Sequence, residues 1–186
     1  SAAGVAIALI SLAFVLPASA GKLPYPKLEE VLALAKDITS EKYPDADYAI
    51  IDNLVSSKYN TDGTDATVDD EYIVALTESG RRRLSTVSVW YSASYGSAEI
   101  ECAEIIKKDG RVVPVDVKAN SRTTIDTGQM GANIYDKNSK YITLSIPNVE
   151  IGDIRHLRIR RSDTKTRMPN QWSDYTTFES TCPIIK

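Results

Sequence analysis

The chain has one histidine, two cysteines, two tryptophans, two phenylalanines and two methionines among 186 residues. A single imidazole and two thiols give little material for a zinc centre, which is built from clustered His and Cys ligands. They also leave little for a nucleophilic triad, which needs a thiol or hydroxyl, a histidine base and an acid or amide to orient it. A basic excess is missing as well: 22 Lys and Arg face 25 Asp and Glu, for a net charge of −3. Without a cationic field to gather phosphate, no nucleic-acid partner is expected. After residue 20 no apolar run approaches the roughly 20 residues of a membrane span, so none is expected in the remaining chain. No internal repeat or low-complexity tail occurs.

What is present starts with an uncharged stretch, SAAGVAIALISLAFVLPASA. Its apolar run ends at Pro17, and Ala18-Ser19-Ala20 has the small-x-small form of a signal-peptidase site. Residues 1–20 read as a secretory signal cleaved after Ala20, with the mature protein periplasmic or secreted. Next, Leu28, Val31, Leu32, Ala35 and Ile38 form one helical stripe, with Pro26 before it, Glu29 and Glu30 in the first turn and Pro44 beyond. This spacing predicts an amphipathic helix over about 27–41, within an N-terminal segment of residues 21–44.

From residue 45 the helical period gives way to strands. YAIIDNLVSSKY, EYIVALTES, RRRLSTVSVWYSAS, SAEIECAEIIKK, RVVPVDV, KYITLSIP, GDIRHLRIRR and SDYTTFESTCPII read as short strands. Asp109-Gly110 marks a tight hairpin, because glycine takes positive φ without steric cost. A further turn is expected over residues 148–152. The stretch 118–138 is polar, without a clear period, and reads as a long loop or irregular edge. With no second helix in view, the expected fold is mainly β: an antiparallel β-sandwich over residues 45–186, with the N-terminal helix packed on it.

The candidate sites are few. Cys102 reads as a packed strand residue sharing a face with Ile100 and Ile106, and nothing in the pattern sets it beside His156. Cys102 and Cys182 are candidates for a disulfide, which an oxidising compartment permits. The acidic stretch Asp62, Asp65, Asp69, Asp70 and Glu71 lacks the alternate oxygen ligands of a calcium loop and reads as a solvated hairpin loop. No metal site and no cofactor are expected. In GDIRHLRIRR, strand alternation puts His156, Arg158 and Arg160 on one face, with Leu157 and Ile159 on the other. These residues, with Arg161, are either a solvated face paired to nearby acids or a patch for an anionic partner. Trp90, Tyr91 and Trp172, with Tyr95, Tyr135, Tyr141 and Tyr175, are either sandwich core or an aromatic surface for sugar or peptide.

Taken in order, EKYPDAD, EYIVALTESGRRRLSTVSVWY, EIIKKDGRVVPVD and SIPNVEIGDIRHLRIR resemble the domain of unknown function 3857 family. These exported bacterial domains precede a transglutaminase-like core in periplasmic proteins. The resemblance runs from about Lys27 to the end and rests on turn signals: Tyr-Pro-Asp-Ala-Asp, Lys-x-Asp-Gly-x-Val-Val and Pro-x-Val-x-x-Gly-Asp-Ile. It implies an all-β sandwich. It also implies that the Cys, His and Asp of the enzyme lie in a downstream domain, so neither Cys102 nor Cys182 holds a catalytic position. The chain departs from the family pattern in IRHLRIRR, where relatives carry aromatic residues.

The resulting expectation is a non-catalytic accessory or scaffold module, truncated before a transglutaminase-like partner domain. The alternative is a module that binds cell-wall glycan or peptide, or another cell-envelope polymer or protein. An enzyme built on Cys102 and His156 is the third reading, and the sequence favours it least.

Overall fold

The computed structural model describes residues 24–132, 135–173 and 182–186. The predicted signal segment, and much of the last candidate strand including Tyr175, lie outside the described residues. Two antiparallel sheets pack face to face. The larger runs β1-β2-β8-β4-β5 and the smaller β3-β7-β6. Their strands are β1 (Tyr48–Tyr59), β2 (Asp65–Ala75), β3 (Thr86–Ser92), β4 (Gly96–Ile106), β5 (Val112–Pro114), β6 (Ser121–Ile125), β7 (Ser139–Ser145) and β8 (Ile154–Asp163). The mainly β sandwich expected from the strand pattern is what the chain forms.

Alternation fills the space between the sheets. Ile73 and Ala75 of β2, Ile105 and Ala103 of β4, and Leu157 and Ile159 of β8 meet Val87 and Val89 of β3 and Leu144 of β7. The outer face of the large sheet carries a second apolar cluster. There Tyr72, Val74, Ile106 and Ile154 are covered by Val31 and Ile38 from the N-terminal segment. Val31 lies on helix α1 (Leu28–Ala35). This is the docked helix that the apolar stripe predicts, but shorter than 27–41. Past Ala35 the chain turns, and Ile38 enters the same cluster without a continuing helix.

The tight turns fall where glycine and asparagine allow them. Gly110 closes the β4–β5 hairpin at φ 83°, and Asn148 and Gly152 take φ 57° and 85° in the turn before β8. Elsewhere the chain departs from expectation. The acidic stretch is not a solvated loop beyond Thr64: Asp65–Glu71 belong to β2. A second helix, α2 (Glu78–Leu84), replaces the expected strand residues there. Thr77 caps it by accepting from the Gly80 N–H at 3.2 Å, Arg81, Arg82 and Arg83 suit its C-terminal dipole, and buried Leu84 fixes its end in the core. The irregular stretch 118–138 contains most of a short helix α3 (Val117–Asn120), then β6 and a 3-10 turn.

Cys102 and Cys182 are not bonded to each other. The C-terminal segment lies beside β1, with Ile184 bridging Ile50 in parallel. Cys102 is on β4, three strands further across the sheet. Four interstrand spacings amount to roughly 19 Å, far beyond the Cα separation a disulfide tolerates.

Candidate functional site

The outer face of the large sheet carries a polar cluster beside the helix-covered apolar one. β8 lies between β2 and β4, and the register sets two rows across the three strands. Tyr72, His156 and Glu104 form one row, and Asp70, Arg158 and Cys102 form the next. The single histidine therefore stands at the centre of the sheet, with the thiol on a diagonal neighbour. The Cys102 Sγ lies 3.8 Å from His156 Nδ1. This overturns the reading that left the two apart.

A bulge is the cause. The β4–β8 register shifts between Ile100 and Cys102, leaving Glu101 as the extra residue. Ile100 therefore faces the inter-sheet core while Cys102 turns to the outer face with Glu104 and Ile106. A bulge inserts one residue and reverses the alternation beyond it.

His156 is held on three sides. Its Nε2–H donates to Asp70 Oδ1 at 3.0 Å, and its Nδ1–H donates to Glu104 Oε2 at 3.0 Å. Tyr72 stacks on the ring with centroids 4.1 Å apart and planes 3° from parallel. Burial alone would lower the His156 pKa. Hydrogen bonds with Asp70, Cys102 and Glu104 outweigh it and lift the value to about 10. The imidazole is therefore protonated near neutrality, which is why both ring nitrogens donate. Asp70 is fully buried and also accepts from Arg158 Nε at 2.7 Å. The Arg158 guanidinium in turn lies 3.7 Å from the centroid of Tyr25, just ahead of α1.

The proposed anionic patch is placed by the same register. The acids of β2 face the arginines of β8. Arg158 pairs with Asp70, Arg161 with Asp69 at 3.9 Å, and Arg155 with Glu71 at 2.7 Å. Arg160 pairs with the bulged Glu101. So His156, Arg158, Arg160 and Arg161 are each balanced by a carboxylate of the sheet, with Arg161 on the opposite face of β8 from the other three.

The aromatic candidates lie elsewhere. Trp90 is exposed on β3 and donates from Nε1 to Ser139 Oγ at 2.9 Å; Tyr91 is half-buried. Both line a cavity with Arg161 and Arg167. Trp172 stacks on Tyr59 at 4.0 Å and lines a neighbouring cavity. The two cavities share Asp65, Asp163 and Arg167.

Sequence reasoning missed Glu104, Asp70, Tyr72 and Tyr25 as parts of the His156 cluster. One signal was available: Cys102-x-Glu104 puts both side chains on one strand face.

The signature of the Domain of Unknown Function with solved-structure structure (DUF3857) matches residues 61–185. The chain belongs to the DUF3857 family. The matched region includes the seven strands from β2 to β8, and with them the Cys102, Glu104 and His156 cluster of this DUF3857 domain. A search of the curated proteins returned no match. Among solved structures, a candidate protease from Parabacteroides distasonis ATCC 8503 superposes with a TM-score of 0.56 at 13% identity, over 64% of this chain and 23% of that one. The present chain thus spans less than a quarter of that protein, and at such identity the likeness speaks for the fold alone. The CBM3a-L domain with flanking linkers from the scaffoldin cipA of the Clostridium thermocellum cellulosome gives 0.36 at 10% identity, over 72% of this chain and 80% of its own. A family 3a carbohydrate binding module from the same scaffolding gives 0.32 at 12%, over 68% and 88%. Among the described residues, no helix is long and apolar enough to cross a membrane.

Proposed function

We propose that this DUF3857 chain is a non-catalytic, exported β-sandwich module that serves as the accessory domain of a transglutaminase-like partner. One observation carries the non-catalytic part. A thiol nucleophile needs a histidine with a free lone pair to take its proton, yet both nitrogens of His156 are engaged by Glu104 and Asp70. The ring is also clamped against Tyr72. Closeness to Cys102 therefore does not make a base of it. Support for the partner is the resemblance of the turn motifs to domains that precede a transglutaminase-like core, and support for export is the uncharged, small-residue-terminated stretch of residues 1–20.

The test is enzymatic and genetic. The purified chain should hydrolyse or crosslink no amide or peptide substrate; thiol-sensitive turnover lost in Cys102→Ala would overturn the non-catalytic reading. The reading frame beyond Lys186 should encode a Cys, His and Asp constellation, and a stop codon there would remove the partner in cis. Residues 1–20 fused to a reporter active only in an oxidising compartment should switch it on.

A second reading has its own observation. Exposed Trp90 and Trp172 flank neighbouring cavities that share Arg167, an arrangement suited to stacking on cell-wall glycan. Saturable binding to wall fragments, lost in Trp90→Ala, would support it; binding untouched by that change would dismiss it.

A further inference from the structure

We propose that Cys102, Glu104 and His156 bind one divalent transition-metal ion of the zinc class, with Asp70 as the outer carboxylate that orients the imidazole. The donor set is a thiolate, an imidazole and a carboxylate, with one donor atom from each lying within 4.8 Å of the others. Donors around a tetrahedral zinc stand roughly 3.3–3.6 Å apart, given bonds of about 2.0–2.3 Å. The sulfur-to-Nδ1 distance is 3.8 Å and the Nδ1-to-carboxylate distance is 3.0 Å. Shifts of a few tenths of an ångström would bring these two distances to that spacing, and the sulfur-to-carboxylate distance, within 4.8 Å, would close by side-chain rotation of half-buried Cys102 or Glu104.

The independent observation is the far side of the ring. Histidine ligands to zinc generally give their other N–H to a carboxylate, which fixes tautomer and orientation. The Nε2–H of His156 already donates to Asp70, a carboxylate with no solvent exposure and anchored by Arg158. Tyr72 fixes the ring plane. The tautomer that remains when the ion displaces the Nδ1 proton is therefore the ligating one. The three donors come from two hydrogen-bonded strands, so they rest on rigid backbone.

Charge and chemistry both select the ion. Without metal, Glu104 and the imidazolium cancel, as do Asp70 and Arg158. With metal, a divalent ion balances Glu104 and the Cys102 thiolate around a neutral imidazole, while the Nδ1 and thiol protons pass to solvent. The cluster stays neutral in both states, at no added cost in unpaired buried charge. Calcium and magnesium want several oxygens, whereas a sulfur, a nitrogen and one carboxylate suit zinc or cobalt(II). Three protein donors leave a fourth position open, on the side where Cys102 and Glu104 are only half-buried.

The test titrates Co²⁺ into the chelator-treated full chain and follows absorption. One equivalent should bind with tetrahedral visible bands and a thiolate charge-transfer band, and Zn²⁺ should displace it. Cys102→Ser should abolish the charge-transfer band, and Cys182→Ser should retain it. Glu104→Gln should weaken binding, and Asp70→Asn should weaken it about 10–100-fold. Circular dichroism checks that each variant is folded; should Asp70→Asn fail to fold, Cys102→Ser decides. Absence of the thiolate band, its survival in Cys102→Ser, or equal competition by Ca²⁺ would overturn the site.

Discussion

The His156 ring and the Asp70 carboxylate, 86 residues apart in sequence, are joined by a 3.0 Å hydrogen bond across the β2–β8 ladder. Asp70 has no solvent exposure, and it takes a second hydrogen bond from Arg158. One carboxylate thus answers two cations at the centre of the sheet. Removing one partner of a buried pair leaves the other charge uncompensated, at about 3–5 kcal/mol. Asp70→Ala should therefore lower the unfolding free energy by about that amount in urea titration. Glu99→Ala, on the exposed side of β4, should stay within about 0.5 kcal/mol. Equal effects would show that the Asp70 pairings contribute little.

The same cluster sets a pH dependence, read on chelator-treated protein. The His156 pKa is lifted to about 10 despite burial, by hydrogen bonds with Asp70, Cys102 and Glu104. A folded value above the unfolded value of about 6.5 gives stability that is complete below that value. It is lost as pH rises through the folded pKa. The Asp70 pKa moves the other way: burial raises it, and hydrogen bonds with His156 and Arg158 outweigh this and lower it. Its contribution is present above the unfolded value of about 3.9 and is lost as pH falls through the folded one. Unfolding free energy should thus decline from neutral pH towards about 10, and His156→Gln should flatten that decline. An unchanged alkaline limb in His156→Gln would contradict the assignment.

The cysteines give a third expectation. Their positions on separate parts of the large sheet rule out a direct bridge in the folded chain. Protein isolated without reductant should keep the intact mass of two thiols, and reductant should leave its denaturation midpoint unchanged. A mass two protons lighter, with a reductant-sensitive midpoint, would show that the chain had closed a bond the fold does not accommodate.

Legibility in the sequence divided along physical lines. A strand whose own alternation ran unbroken, such as β8, could be read directly, because period-two burial needs no long-range information. β1 was legible from its β-branched and aromatic content, although a bulge after Ile50 breaks its period. The Gly110 turn was legible because positive φ restricts its occupant. The polar site was not. Its assembly depends on which strands pair, and a single bulged residue at Glu101 reverses the face of Cys102. The acidic stretch from Asp65 looked like loop for a related reason: its charges become tolerable in a strand only once β8 supplies Arg155, Arg158 and Arg161. Helix α2 was legible and was overlooked, since Thr77 followed by Glu78 and closed by three arginines carries the capping pattern of a short helix.

Leu84 connects that helix to the inter-sheet core, where it is 1% exposed among Ile73, Val87 and Leu144. Truncating a leucine there removes transfer energy and leaves a cavity, together about 2–5 kcal/mol. Leu84→Ala should shift the urea midpoint by that amount without changing the slope of the transition. A loss under 1 kcal/mol would mean that α2 contributes little to holding the two sheets together.

Gly80 offers the sharpest separation of local propensity from tertiary packing. It is buried in α2, and a methyl group added there would run into the backbone carbonyl of Asp47. That carbonyl is held in place by accepting from the N–H groups of Leu76 and Thr77, at 2.9 Å and 3.1 Å. Propensity alone says Gly80→Ala should stabilise the helix by about 1 kcal/mol. Packing says the opposite, because backbone rather than a flexible side chain stands in the way. Relief must come from moving α2 off the strand or from breaking the contacts that hold Asp47. Overpacking of this kind costs about 1–3 kcal/mol. Gly80→Ala should therefore destabilise by chemical denaturation, and hydrogen exchange should quicken at Leu76 and Thr77. A stabilised variant would show that α2 is free to shift at its contact with Asp47.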